Sequence, residues 1–283
     1  MKSYAFRIVN VFAEERLGGN PLAVLEDARG LDEALMQALA LQFNLSETTF
    51  ILPSEAATAR VRIFTPTFEM PFAGHPTLGT AHVVRALKGA SEITLEMRAG
   101  VIPVRAAGDR WTLQANAPRT RTVAASPSEL AATLGLEPRD IGAKPLWVDT
   151  GSDQLLVPLA SATAVRSCRP SAELMSRHAT VTLPGAASRS MAYIWTEVAS
   201  NAALARFFFL KQGSVVEDPG TGSACANLGG WLVATGAALP REIAIAQGDA
   251  VGRPCHLGLT VDADRRIFVS GRVIELGRGS IEL

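Results

Sequence analysis

The 283-residue chain has no surplus of charge, since 27 Lys and Arg balance 27 Asp and Glu. With no long run of either sign, it lacks the footprint that a nucleic-acid backbone or an anionic membrane surface would select, and a small neutral or anionic molecule is the expected partner. Cysteine is scarce. Cys168, Cys225 and Cys255 are odd in number, widely spaced and without a CxxC pair, which argues against a disulfide framework or a zinc site. The four histidines are scattered and form no HExxH, so no metal is expected. GxGxxG and GxxxxGK[ST] are both missing, and with them the usual signatures of dinucleotide and P-loop phosphate sites. No segment approaches about eighteen uninterrupted apolar residues, and the opening MKSYAFRIVNVFAEE has no apolar stretch of signal-peptide length. A soluble, cytoplasmic protein is the expectation.

What is present is apolar residue in quantity: 48% hydrophobic content at this length supports a large core in one or two domains. Alternation and β-branched or aromatic content predict strands at Tyr4–Phe12, Leu22–Leu25, Thr48–Leu52, Ala59–Thr65, Ile93–Met97, Val101–Ala106 and Arg110–Gln114. Helical spacing runs from Leu31 to Phe43 behind Asp32, a plausible N-cap. Asn116–Ala125 has few large apolar residues and reads as a domain boundary. It leads into SPSEL, where Ser126 as N-cap, Pro127 at N1 and Glu129 at N3 make a capping box that Gly135 later closes. Further strands are predicted at Leu146–Val148, Gln154–Pro158, Met191–Thr196, Ala205–Leu210, Leu257–Val261 and Arg266–Ser270.

Two stretches are variants of one turn. EMPFAGHPTLGT at 69–80 and EDPGTGSACANL at 217–228 each place an acidic residue and a proline before a glycine that is followed by His75 or Ser223. The two glycines, Gly74 and Gly222, lie 148 positions apart. A helical pattern follows each, with Leu78, Ala81, Val84 and Leu87 on one face in the first and Ala224, Leu228, Trp231 and Leu232 in the second, before Gly236. A glycine at a helix start lets a ligand approach the backbone, and the first unpaired N–H groups there suit an anion. Two such starts across a domain cleft would hold a carboxylate or a developing enolate between them.

GNPLAV at 19–24, SETTF at 46–50, PFAGHPTLG at 71–79, EDPGTGSA at 217–224, QG at 247–248 and GRP at 252–254 occur in an order that resembles the phenazine-biosynthesis PhzF-like isomerase family. The resemblance spans almost the whole chain. It implies an α+β fold of the diaminopimelate-epimerase-like kind: two similar domains, each a mostly antiparallel barrel-like sheet wrapped around a central helix. The domains would cover 1–117, with a last strand at 275–283 as a candidate addition, and 126–274, with the site in the cleft between them.

The resemblance also assigns roles. Glu47, which follows Asn44-Leu45-Ser46 just before a predicted strand, matches the acid/base that moves a proton between substrate carbons; a carboxyl doing this needs a pKa above its reference value, which walls such as Phe50 and Phe72 could bring about by burial. His75 and Asp218 match residues that polarise substrate or relay a proton. Ser223 and Ser46 would contact substrate, and Gly74 and Gly222 would offer backbone N–H groups. Superfamily epimerases use a cysteine at each turn, and here neither Ala73-Gly74 nor Asp218-Pro219-Gly220 provides one, so one-face acid/base isomerisation without a cofactor is implied. A homodimer is implied as well. The alternatives are a hydrolase using Ser223 or Cys225 as nucleophile, although GTGSA lacks the GxSxG elbow, and a binding protein that has lost its chemistry. Cys225 itself reads as a packed helix residue; His82, His178 and His256, and Trp111, Trp147, Trp195 and Trp231, read as packing, surface or dimer-contact groups.

Overall fold

The alternating residues Ser3–Val11 form the first strand, β1, in a computed structural model that describes residues 1–90, 92–182 and 188–283. The strand ends where Phe12 turns to φ 60°. Met1–Gln114 and Ser270–Leu283 make one compact unit, and Ala115–Val269 make a second. The first continues with β2 (Asn20–Leu25), α1 (Glu33–Phe43), β3 (Glu47–Leu52), β4 (Ala59–Phe64), β5 (Glu69–Met70), α2 (Gly74–Lys88), β6 (Ile93–Met97), β7 (Gly100–Ala107) and β8 (Arg110–Gln114). The second holds β9 (Arg119–Thr122), α3 (Pro127–Leu134), β10 (Leu146–Asp149), β11 (Asp153–Pro158), α4 (Ala162–Ser167), α5 (Ala172–His178), β12 (Thr180–Val181), β13 (Arg189–Ala199), β14 (Ala202–Lys211), β15 (Ser214–Asp218), α6 (Gly222–Thr235), β16 (Arg241–Gln247) and β17 (Cys255–Val261). The last strand, β18 (Ile267–Glu282), contributes residues to both.

The predicted caps form. Asp32 accepts from the Leu35 amide at 2.8 Å, and Ser126 and Glu129 complete the capping box of α3. Asn116–Ala125, read from sequence as a boundary, begins just after the change of unit at Ala115 and carries β9, whose Arg119–Thr122 pair with β10. Its side chains face water, which is why few of them are apolar.

Within each unit the strands follow one pairing scheme. In the first, β1–β2 is antiparallel, β2–β3 parallel, β3–β4 antiparallel, β4–β6 parallel and β6–β7 antiparallel. In the second, β10–β11, β11–β13, β13–β14, β14–β16 and β16–β17 repeat that series. In the first unit β7 also pairs with β8. The C-terminal strand pairs antiparallel with β1, and its Val273 donates to the Asp109 carbonyl just ahead of β8 at 3.0 Å, which draws that sheet into a barrel. The fold is α+β, a mostly antiparallel barrel-like sheet around a central helix in each unit.

The central helices are buried on more than one face, unlike the single apolar stripes predicted. Every residue of α2 from Gly74 to Ala81 is buried, while Leu87, expected on the packed face, is 41% exposed because the last turn emerges from the barrel. In α6 Gly222, Ala224–Gly230 and Leu232 are buried. Strands close in so tightly that a Cβ on Gly79 would lie 2.6 Å from Leu22 Cδ2, and one on Gly229 would lie 2.7 Å from Ile267 Cγ2. The acidic residue shared by the two turns has a structural task. Glu69 pairs with Arg62 across the β4–β5 hairpin at 2.6 Å, and Glu217 pairs with Arg206 across β14–β15 at 2.7 Å. In both hairpins the guanidinium also lies over a ring two residues on, Phe64 or Phe208.

Candidate active site

Each unit opens its central helix at one of the repeated turns. Gly74 and Gly222 are the first helical residues, so His75 and Ser223 occupy the same second position. Neither N-cap, Ala73 or Thr221, caps through its side chain. In α2 the first intrahelical bond runs from the Thr77 amide to Ala73, and in α6 from Cys225 to Thr221. The amides of Gly74 and His75, and those of Gly222, Ser223 and Ala224, come before that first rung; Pro76 has no donor.

Glu47 is the first residue of β3 rather than the last of the loop before it. Strand alternation puts Glu47 and Thr49 on one face, and Thr49 accepts from Thr80 of α2 at 2.8 Å. On that face Glu47 Oε2 comes within 3.4 Å of His75 Nε2. The Glu47 side chain keeps 14% of its exposure, and His75 is buried. Phe50, expected beside Glu47 as an apolar wall, is three residues along the strand and therefore on the opposite face, where it packs on Phe64 and α1. Phe72 is half-buried, and Ser46, just before Glu47, is exposed.

Burial pushes the His75 pKa down to about 3, partly opposed by a hydrogen bond to the Pro21 backbone. Proline has no N–H, so a ring N–H donates to the Pro21 carbonyl. Nε2 has no hydrogen-bond partner among the described residues, so the donating nitrogen is Nδ1 and the Nε2 lone pair points toward Glu47.

In the second unit Asp218 closes β15, and the Thr221 hydroxyl donates to its carboxylate. Gln247, fully buried at the end of β16, donates through Nε2 to the Asp218 carbonyl at 2.9 Å and to Thr221 Oγ1 at 3.1 Å, while its Oε1 lies 3.4 Å from the Thr221 amide. Ser223 is half-buried, and its Oγ accepts from Gln154 Nε2 of β11 at 2.9 Å. The structure thus brings together Glu47 with His75, and Asp218 and Ser223 with the start of α6. The sequence assigns no site role to Gln247, Thr221, Gln154 or Asn227: Gln247, Thr221 and Asn227 stand there only inside motifs, and Gln154 only as the first residue of a predicted strand. The signal for the last two is an amide set among small or apolar neighbours, as in QLLV and ACANLGG, because a buried amide needs partners.

Ser223 lacks the surroundings of a hydrolytic nucleophile. The group bonded to it is an amide, which cannot take its proton. Cys225 is fully buried and burial raises its thiol pKa well above the usual range, so it packs in the helix as the sequence suggests. Among the described residues no cluster of three or more His, Cys, Asp or Glu side chains could hold a metal, and no helix is long and apolar enough to cross a membrane.

Comparison with known proteins places this geometry. The sequence profile of the family described as phenazine biosynthesis-like protein matches residues 9–278. An uncharacterized isomerase of Pasteurella multocida is 41% identical over 98% of this chain and 94% of its own. The trans-2,3-dihydro-3-hydroxyanthranilate isomerase of Pseudomonas chlororaphis is 34% identical over 98% of each chain. The crystal structure of a Bacillus anthracis phenazine biosynthesis protein of the PhzF family superposes over 100% of both chains with a TM-score of 0.86 at 25% identity.

Proposed function

Starting from the premise that this chain belongs to the phenazine biosynthesis-like protein family, we propose that it is an isomerase that moves a proton within a small carboxylate-bearing substrate, with Glu47 as the acid/base group. Relatives that cover nearly the whole chain carry the name isomerase. The observation that carries the mechanism is the 3.4 Å approach of Glu47 Oε2 to His75 Nε2. Because burial keeps His75 neutral and its Nδ1 proton is held by Pro21, the Nε2 lone pair is a receiver for a proton on Glu47. Such contacts shorten when substrate is bound. The carboxyl can then give a proton to one substrate carbon and take one from another while His75 stays uncharged.

The remaining roles follow the same reading. Backbone amides at Gly74 and Gly222 stabilise negative charge on the substrate, each helix start being worth roughly 0.3–1 kcal/mol at an exposed site and more when partly buried. Ser46 and Ser223 contact substrate. Asp218, aligned by Thr221 and Gln247, takes part in proton handling. A hydrogen shift changes neither redox state nor bond count, so this chemistry calls for no nicotinamide, flavin or metal. A cyclic hydroxy-amino acid of the kind in the relatives' names is the first substrate to test, and a homodimer is the proposed assembly.

The test is incubation with trans-2,3-dihydro-3-hydroxyanthranilate and a panel of small unsaturated carboxylates in D₂O. The expected product keeps the substrate's formula but carries solvent deuterium, and Glu47→Gln slows its formation at least about a hundredfold. Equal rates in parent and variant would remove Glu47 from the mechanism. Binding without exchange would favour a protein that holds ligand and does no chemistry.

A further inference from the structure

Behind Ser223 lies a chain of buried side chains whose hydrogen-bond polarity is fixed by the backbone. Asn227 of α6 is fully buried. One end of its amide takes the Thr150 backbone N–H at 2.9 Å and the Thr150 hydroxyl at 2.7 Å; an N–H only donates, so that end is the oxygen. The other end meets the Ser152 carbonyl at 2.8 Å, which only accepts, so it is the nitrogen. That nitrogen also meets Gln154 at 2.9 Å, so the Gln154 atom there is Oε1. Gln154 is 2% exposed, and its Nε2 must then be the end that meets Ser223 Oγ at 2.9 Å and Ser152 Oγ at 3.4 Å.

The barrel itself does not need this chain. In the first unit the helix position 148 residues before Asn227 is Gly79, packed directly on the apolar Leu22 of the matching strand β2. At this helix position the first unit therefore packs without an amide, although Asn10 and Asn20 are buried in its sheet. What the two units share is the tie at the second helical residue: His75 is tied to Pro21 on β2, and Ser223 to Gln154 on β11.

We propose that Asn227, acting through Gln154, is a positioning residue that keeps Ser223 Oγ as an acceptor toward the protein, so that its single hydrogen is left to donate to an anionic or other acceptor group of the ligand. A serine hydroxyl has one hydrogen, and when a neighbour donates to its oxygen that hydrogen is free to turn outward. The arrangement suits a carboxylate or enolate oxygen at this point, which can take that hydrogen. The identity of the ligand group rests on the isomerase reading; the polarity of the chain does not.

Two measurements test it. Neutron diffraction from deuterium-exchanged crystals should show a Gln154 Nε2 deuteron directed at Ser223 Oγ and the Ser223 deuteron directed elsewhere; a Ser223 deuteron directed at Gln154 overturns the proposal whatever the enzyme's substrate. The second is a binding cycle with 3-hydroxyanthranilate, a stable aromatic analogue of the substrate in the relatives' names. Gln154→Met should weaken binding about tenfold in the parent and have no further effect in Ser223→Ala, because residues in one network are not additive. Gln154→Glu keeps an oxygen for Asn227 but presents an acceptor to Ser223, and should weaken the probe at least about tenfold while the protein stays folded. Equal losses in both backgrounds, or an unchanged affinity in Gln154→Glu, overturn the positioning role. A parent that does not bind the probe counts against the isomerase reading, and the neutron result then still decides this one.

Discussion

His75 is a side chain whose burial bears on stability as well as on the proposed chemistry. Its pKa in the folded protein is pushed down to about 3, while an unfolded histidine titrates near 6.5. Between those values the unfolded chain binds a proton that the folded chain refuses, so this histidine's contribution is complete above about pH 6.5 and is lost as pH falls toward 3, by at most about 1.4 kcal/mol per pH unit. His75→Gln should therefore flatten the fall in melting temperature between pH 6.5 and 4, measured by calorimetry against the parent. Cys225 gives a second check at this scale. With its thiol buried and its pKa raised, iodoacetamide at pH 7.5 should leave it unmodified in the native protein and label it in urea.

At the scale of elements, the hairpin before each central helix is held by a largely buried ion pair. Arg206 and Glu217 each keep 9% of their side-chain exposure, and Arg206 also donates to the carbonyls of Val165, Arg166 and Cys168 near the end of α4. Glu217→Ala strands that guanidinium, and urea unfolding should show a loss of about 3–5 kcal/mol. Glu69→Ala should cost less in the same assay, because Glu33 remains beside Arg62 at 2.7 Å and is itself exposed. Sequence reading reaches most strands to within a residue or two because each has one face on a core. It leaves out Ser214–Asp218 and Arg241–Gln247, which carry Asp218 and Gln247 into place. Ser214–Asp218 pairs with β14 throughout, while Arg241–Gln247 pairs with β17 throughout and with β14 only over Ala244–Ala246, so each is held extended by the strands beside it in the sheet.

For the whole molecule, the units differ in how the chain supplies them: Ala115–Val269 is continuous, whereas Met1–Gln114 requires Ser270–Leu283. Residues 270–283 give β1 a full antiparallel partner from Ser3 to Val11. Truncation after Val269 should leave amide protection in Ala115–Val269 and abolish it in β1 and β2, read by hydrogen exchange with mass spectrometry; protection retained in β1 would show that its pairing with β2 suffices. The proposed homodimer should sediment at twice the mass of one chain, and a concentration-independent single-chain mass would dismiss it.

By itself the sequence determined what depends on neighbours along the chain: alternation of apolar residues, the Asp32 cap, the Ser126–Glu129 capping box and the glycine stops, the repeated turn that opens each central helix, and the motifs that carry the family. These are local because turn and helix-end chemistry is decided within a few residues. Only the tertiary structure decided that Phe50 lies on the face away from Glu47, that Glu47 meets His75, that Glu69 and Glu217 clasp arginines, and that Asn227 and Gln154 stand behind Ser223. Each of these joins groups on different elements, and which groups meet is set by strand pairing and burial, which no short window of sequence contains.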